Sequence, residues 1–167
     1  MKVKIIRWLV IFLVLVANIG CDQISKNYVR DRVDFDERIS LVKNYVTLMK
    51  VENSGAFLSW GNSLPHALRF ALLSIMPLVV LGFGLGYLIM KTSLPKRIML
   101  GTAFVIGGGI GNIYDRLIYG SVTDFLHIDL GIVQTGIFNL ADVSIMMGVF
   151  IVLMDSFSKR NLSNENA

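Results

Sequence analysis

Four long and almost uncharged stretches decide what this 167-residue chain can fold into. A bilayer core is about 30 Å thick, and about 20 helical residues cross it. The stretches predict transmembrane helices at about residues 5–21, 68–90, 98–118 and 137–155. Apolar residues make up 54 % of the chain, more than an ordinary soluble domain carries. We therefore predict one integral membrane domain over residues 1–167, a bundle of four transmembrane helices surrounded by membrane lipids.

The basic residues predict how these helices are oriented. Those that flank the stretches on one side of the membrane are Lys2, Lys4, Arg7, Lys91, Lys96, Arg97, Lys159 and Arg160. On the other side, residues 119–136 have no Lys or Arg, and residues 22–66 have equal numbers of both signs. Cytoplasmic loops carry an excess of Lys and Arg. Both termini are therefore expected in the cytoplasm, and the net charge of +4 follows from topology and does not indicate nucleic-acid binding.

The first stretch allows a different interpretation. Three positive charges precede an apolar run that ends at Gly20 and Cys21, which is the layout of a bacterial lipoprotein signal peptide. A secreted lipoprotein has one such segment followed by a polar body, whereas three more apolar stretches follow here. Asn18 also occupies a position where a lipobox usually has an aliphatic residue. The sequence therefore favours a first helix that is retained.

The loop after the first predicted helix indicates a small sheet outside the membrane. Residues 31–38 are dense in charge and are typical of a solvated loop. The run ISLVKNYVTLMKVEN that follows is rich in β-branched and aromatic residues, so one or two short strands are expected between Ile39 and Val51. The predicted fold class is thus membrane α-helical, a four-helix bundle with a small extramembrane β-sheet in the first outer loop.

Polar residues gather at the outer ends of the predicted helices. Charge near the bilayer core costs about 2.5 to 3.5 kcal/mol per residue on translocon scales, so such groups need partners or a function. The group comprises Asp22, Gln23, Asn112, Asp115, Arg116, Asp124, Asn139 and Asp142. Two neighbouring carboxyl groups can share one proton and activate a water, as in aspartic proteases. Asp124 and Asp142 are therefore a candidate acid–base pair.

Several alternatives stay open on this pattern alone. The aspartates could simply cap helices or pair with Arg116, or they could carry protons or ions in a small transporter. A rhomboid-like protease needs a Ser and a His inside neighbouring helices, and neither His66 nor His127 lies inside one. Cys21 has no His near it in sequence, and no Cys/His group has the spacing of metal ligands.

Five short motifs in a fixed order resemble those of one protein family. They are DQISK at 22–26, NSGAF at 53–57, GGGIGNIYDR at 107–116, VTDF at 122–125 and FNLAD at 138–142. Together they resemble the bacterial lipoprotein signal peptidases, or type II signal peptidases, over nearly the whole chain. One departure is that a single Ala56 precedes Phe57, where many members of the family have two alanines.

The resemblance implies an aspartic endopeptidase of the bacterial inner membrane. Such an enzyme removes signal peptides from diacylglyceryl-modified prolipoproteins by cutting directly before the lipidated cysteine. The implied catalytic residues are Asp124 and Asp142. The implied supporting residues are Asp22, Asn53, Gly55, Gly108, Asn112, Arg116 and Asn139. The resemblance further implies inhibition by the cyclic peptide globomycin and an active site near the outer face of the membrane. It implies no metal or organic cofactor. We expect the protein to be a monomer.

Overall fold

A computed structural model describes residues 2–43, 45–55 and 63–165 of the chain. Over these ranges the chain forms four helices and three strands. They are α1 (Lys2–Arg32), β1 (Arg38–Val42), β2 (Val46–Asn53), α2 (His66–Met90), α3 (Lys96–Tyr119), β3 (Val122–Ile128) and α4 (Leu140–Glu165). Helix α2 contains a π-helical turn at Ala71–Ile75, just before Pro77, whose ring leaves one backbone carbonyl without its donor. Ala56 and Phe57 lie outside the described residues.

Among the described residues, three helical segments are long and apolar enough to cross a membrane: Lys4–Arg32, His66–Met90 and Leu140–Ser158. Helix α3 has 24 residues. At 1.5 Å per residue it is about 36 Å long, enough to span a bilayer. It is less apolar because it is rich in glycine and carries Asn112, Asp115 and Arg116. Helix α3 packs against α1, α2 and α4, so much of its surface faces protein and need not be apolar.

Glycines bring α3 and α4 together almost backbone to backbone. A Cβ atom added to Gly108 would overlap the carbonyl oxygen of Ala141, and one on Gly101 would lie 2.7 Å from the carbonyl oxygen of Gly148. Such close approach is how small residues promote helix association in membranes. Because Ala141 directly precedes Asp142, this crossing also fixes the first turn of α4.

The substitution Gly108→Ala should therefore lower stability by about 1–3 kcal/mol, the usual cost of overpacking. Gly86→Ala is the matched control, because a Cβ atom at Gly86 on α2 meets no atom within 4 Å. Thermal unfolding of both variants in detergent measures the difference. Equal unfolding temperatures for the two variants would show that the α3–α4 crossing has room for a methyl group.

The three strands form one antiparallel sheet in the order β1, β2, β3. Strands β1 and β2 confirm the strands expected between Ile39 and Val51. The prediction that the sheet lies in the loop after the first helix is only partly right, because its third strand, β3, lies between α3 and α4. Val122 pairs with Asn53, and Asp124 pairs with Val51. This pairing with a strand far away in sequence stabilises β3 and cannot be deduced from the local residue pattern.

The helix boundaries differ from the predicted ones most at the end of α1 and at both ends of α4, which runs to Glu165 rather than to 155. Helix α1 continues to Arg32, well beyond the predicted end at residue 21, because Lys26 and Arg30 are paired with carboxylates inside the protein. Helix α4 begins at Leu140, later than the predicted 137, because Phe138 still pairs with Leu126 of β3. The charged loop predicted at 31–38 is correspondingly shorter, since α1 includes its first two residues.

Candidate active site

The residues predicted for the site come together at one end of the bundle, beneath the sheet. Asp22 lies on α1, Asn53 ends β2, Gly55 follows it, and Asp124 lies on β3. Gly108, Asn112 and Arg116 follow one another at intervals of four residues along α3, so they share one face of that helix. Asn139 directly precedes α4, and Asp142 lies in its first turn.

Asn139 is bonded to both candidate catalytic aspartates. Its side-chain Nδ2 donates to Asp124 Oδ1 at 2.6 Å, and its backbone N donates to Asp142 Oδ2 at 3.1 Å. In return, the backbone N of Asp142 donates to Asn139 Oδ1 at 3.0 Å. This reciprocal pair of bonds is a capping box, which explains why α4 starts here. The cap places the Asp142 carboxyl beside Asp124.

Two further amides complete the hydrogen bonding of the aspartates. Asn112 Nδ2 donates to Asp142 Oδ1 at 2.9 Å, and Asn53 Nδ2 donates to Asp124 Oδ2 at 3.0 Å. Each of the four carboxyl oxygens therefore accepts one N–H hydrogen bond. A carboxyl oxygen has two lone pairs, so each retains capacity for a water or a substrate group. Helix capping and catalysis by Asp142 are thus compatible.

Burial strongly affects the acid–base properties of Asp124, which is 4 % exposed. The pKa of Asp124 is raised to about 6, and loss of solvation is the largest cause. The negative charge of Asp142 also raises this pKa, whereas the hydrogen bonds from Asn53 and Asn139 and the charge of Lys26 lower it. Asp124 is therefore suited to hold a proton close to neutral pH.

Arg116 contacts the chain that follows β2. Its Nη2 donates to the carbonyl oxygen of Gly55 at 3.1 Å, and the backbone N of Gly55 donates to Asn53 Oδ1 at 3.0 Å. Arg116 thereby helps to orient the amide that bonds to Asp124. Within the described part of the chain, no ion pair joins Arg116 to either aspartate, and its buried Nε has no hydrogen-bond acceptor.

Lys26 is a buried residue for which the sequence analysis predicted no role. Its Nζ lies 2.8 Å from Asp22 Oδ2, 3.0 Å from Asp115 Oδ2 and 2.9 Å from Asn112 Oδ1, with the side chain fully buried. Because Lys26 can only donate, it orients the oxygen of the Asn112 amide towards itself. The Asn112 nitrogen then faces Asp142. The spacing of four residues between Asp22 and Lys26 on a helix is the signal that could have identified this pair.

Asp22 and Arg30 connect α1 to the elements that carry the candidate catalytic residues. Asp22 Oδ1 accepts a hydrogen bond from the backbone N of Ala141 at 2.9 Å. Arg30 Nη2 lies 2.9 Å from Asp115 Oδ1, and Arg30 Nε donates to Thr123 Oγ1 at 2.8 Å. Thus one end of α1 holds both the first turn of α4 and the strand residue that precedes Asp124.

A mostly apolar cavity of about 300 Å³ opens between α2, α3 and α4. Val80, Leu81, Val105 and Ile145 contribute to its apolar wall, and Asn112 and Arg116 lie at its polar end. An apolar molecule in this cavity would therefore have one end beside the aspartates. No group of three His, Cys, Asp or Glu side chains suited to a metal ion occurs within residues 2–43, 45–55 and 63–165.

Comparison with known proteins gives consistent matches over most of the chain. Residues 12–158 match the family model described as "Signal peptidase (SPase) II". A "Lipoprotein signal peptidase" of Listeria welshimeri is 30 % identical over 147 residues, which cover 87 % of this chain and 92 % of the relative. One of Streptococcus pneumoniae is 32 % identical over 145 residues, with coverage of 87 % and 90 %.

Two solved structures share the fold. Both are described as a "Bacterial membrane enzyme structure by the in meso method", at 2.3 Å and 1.9 Å resolution. The first has a TM-score of 0.80 at 19 % identity and covers 90 % of this chain and 89 % of its own. The second has a TM-score of 0.77 at 22 % identity, with coverage of 87 % and 91 %. With the family model matching residues 12–158, this protein belongs to the signal peptidase II family.

Proposed function

We propose that this protein is an aspartic endopeptidase that removes signal peptides from diacylglyceryl-modified prolipoproteins, cutting directly before the lipidated cysteine. The relatives described as lipoprotein signal peptidases support the reaction and the substrate class. The observation that carries the proposal is the position of Asn139, which bonds to Asp124 and Asp142 at once. This arrangement fixes the two carboxyl groups on one residue, and we propose that the reacting water binds between them.

In the proposed mechanism, Asp124 holds the shared proton and Asp142 acts as the base. Asp142 removes a proton from a bound water, and the water oxygen attacks the carbonyl carbon of the residue before the lipidated cysteine. Asp124 gives its proton to the carbonyl oxygen, which produces a tetrahedral diol. Asp142 then protonates the leaving amine, the C–N bond breaks, and one diol hydroxyl returns a proton to Asp124.

The supporting residues act on the two aspartates rather than on the reacting atoms. Asn53, Asn112 and Asn139 fix the orientation of the carboxyl groups through their N–H donors. Gly108 allows the close crossing at Ala141, and Asp22 bonds to the backbone of the same residue. Arg116 bonds to Gly55 and supplies positive charge at the polar end of the cavity; we propose that this charge stabilises the ionised aspartate.

We also propose that α3 is a fourth membrane span in the bacterial inner membrane. The basic residues on one side support cytoplasmic termini, which puts Asp124 and Asp142 at the outer face. The apolar cavity between α2, α3 and α4 suits the apolar segment of a signal peptide. Globomycin is expected to compete with the signal peptide for this cavity. The enzyme is proposed to be a monomer and to need no metal or organic cofactor.

A cleavage assay separates this function from that of a proton-conducting transporter. Purified protein in detergent is mixed with a diacylglyceryl-modified prolipoprotein, and the product is followed by its shift on a gel. We expect cleavage that globomycin prevents, and no cleavage of the same precursor without its lipid. Absence of cleavage by folded protein would favour a non-enzymatic role for the two aspartates.

The pH dependence of the reaction tests which aspartate holds the proton. Because the pKa of Asp124 is about 6, kcat/KM should decline as the pH rises through that value and Asp124 loses its proton. Asn53 donates to Asp124 and favours its ionised form, so Asn53→Ala should move the decline to higher pH. Initial rates at low substrate concentration, from about pH 4.5 to about pH 8, measure both profiles.

Thr47→Ala is the control for this profile, since Thr47 lies on the same strand as Asn53 but pairs with His127, away from the aspartates. It should keep the profile of the unsubstituted protein. A decline at the same pH in all three proteins would mean that a group other than Asp124 determines it.

A further inference from the structure

The end of the sheet farthest from the aspartates is apolar and exposed. It is formed by Leu41, Val42, Tyr45, Leu130, Ile132 and Val133, which we call the sheet tip. The two turns that carry these residues are adjacent, because the backbone N of Asp129 donates to the carbonyl oxygen of Tyr45 at 2.9 Å. Ile132 is 99 % exposed. In a protein surrounded by water, such a concentration of exposed apolar side chains marks an interaction surface.

The turn after β3, which carries Leu130, Ile132 and Val133, lacks the features that usually protect exposed strand ends. Natural edges are blunted by charged residues and proline, yet residues 130–136 contain neither. Asp129 directly precedes this turn, and its carboxyl group bonds to the turn's own backbone. Its Oδ1 accepts a hydrogen bond from the backbone N of Gly131 at 2.8 Å. The exposed polar residues next to the tip are Lys43, Gln134 and Thr135. Tyr45, within the tip, is of a residue type enriched at membrane–water interfaces, and a lysine can lay its apolar stem along such a surface while its charge stays in water.

The connections of β3 keep the tip close to the bilayer. Strand β3 starts shortly after α3 ends at Tyr119, and Phe138 pairs with Leu126 just before α4 begins. The chain is thus attached to the outer ends of two helices. The chain between Phe138 and Ile132 can span at most about 20 Å when it is fully extended, at about 3.3 Å per residue. The exposed residues are therefore within reach of the outer leaflet.

We propose that the sheet tip inserts into the outer leaflet of the bilayer and anchors the sheet there. Leu41 and Val42 are both exposed, next to an irregularity in the pairing of β1 with β2. Apolar side chains from two adjacent turns, rather than from one flat sheet face, suit a fluid lipid environment better than a flat protein partner. The apolar faces of the membrane helices already contact lipid, so insertion of the sheet tip would extend the contact between protein and lipid. The anchor would hold Asp124, on the same sheet, at the level of the membrane surface.

Fluorescence quenching in nanodiscs tests the insertion independently of enzyme activity. In a Cys21→Ala background, the variants Ile132→Cys and Val133→Cys receive an environment-sensitive fluorophore. The nanodiscs contain phosphatidylcholine and phosphatidylglycerol, with or without a lipid that bears a quencher near the headgroup end of its acyl chain. Asp36→Cys, in the exposed turn between α1 and β1, controls for any membrane affinity of the fluorophore itself. Phe150→Cys, exposed on α4, provides a position in contact with lipid.

We expect the lipid quencher to reduce emission at positions 132 and 133 as strongly as at 150, and aqueous iodide to affect mainly position 36. Two results would overturn the proposal. Iodide quenching at 132 equal to that at 36 would place the tip in water. Protection of 132 from both quenchers would show that protein covers it, whether a second copy or another segment of the chain.

Discussion

Cleavage of a diacylglyceryl-modified prolipoprotein should fall by at least about 10³-fold when Asp124 is replaced by Asn, and by a similar factor for Asp142→Asn. The amide of Asn can neither take a proton from water nor donate one as a carboxylic acid does. The change in size is minimal, and each carboxyl oxygen of the aspartates has an N–H partner nearby that limits rearrangement. The two losses should not add when both substitutions are combined, because one aspartate cannot complete the reaction without the other.

Asp129→Asn is the matched control for these variants. It makes the same chemical change on an acid that directly follows β3, the strand that carries Asp124, and whose carboxyl group accepts a hydrogen bond from the backbone of Gly131 in its own loop. The rate should stay near that of the unsubstituted protein. Retained globomycin binding and an unchanged unfolding temperature would show that the inactive variants are folded. Turnover within tenfold of the unsubstituted protein in either variant would contradict a role for that aspartate as acid or base.

Lys26→Met should lower the free energy of unfolding by about 3–5 kcal/mol, the usual cost of removing one partner from a buried ion pair. The Lys26 side chain and those of Asp22 and Asp115 are fully buried. Met has a similar length but no charge, so the substitution leaves two carboxylates near each other without their shared cation. It also releases the oxygen of Asn112, so the amide that bonds to Asp142 loses its fixed orientation and activity should fall as well.

The double variant Lys26→Met with Asp22→Asn distinguishes lost charge balance from lost packing. It removes the charge of Asp22, the carboxylate that loses its ion pair when Lys26 is replaced, whereas Asp115 keeps its ion pair with Arg30 at 2.9 Å. We therefore expect the double variant to be more stable than Lys26→Met alone. Denaturant unfolding in detergent measures both. A stability of Lys26→Met within about 1 kcal/mol of the original protein would mean that the cluster contributes no buried ion pairing.

The helices could be predicted from sequence because their signal is local. Twenty or so apolar residues in a row have few alternatives to a membrane helix, and His66–Met90 agrees closely with the predicted 68–90. The outer part of α1 was missed for the opposite reason. Its residues from Asp22 to Arg32 are polar, and they remain helical because Asp115, Asn112 and Thr123, all distant in sequence, bind them.

The residue types of the candidate site were predictable from the sequence, but its connections were not. The positions of Asp124 and Asp142 relative to the apolar stretches predicted that both lie at the outer interface, and this level in the membrane stays a prediction. That Asn139 bonds to both aspartates depends on β3 pairing with β2 and on the cap of α4. Lys26 was missed because a lysine near a helix end usually extends into water. Only the fold shows that it is enclosed.

Mass spectrometry of the products identifies the bond that the protein cuts and whether both aspartates are needed to cut it. The purified protein is incubated with a diacylglyceryl-modified prolipoprotein, beside its Asp124→Asn and Asp142→Asn variants. We expect two products from the unsubstituted protein, an intact signal peptide and a mature protein that begins with the lipidated cysteine, and neither product from the variants. Cleavage at a different bond, or cleavage before the cysteine by a variant that lacks one of the two aspartates, would contradict the proposed aspartic peptidase.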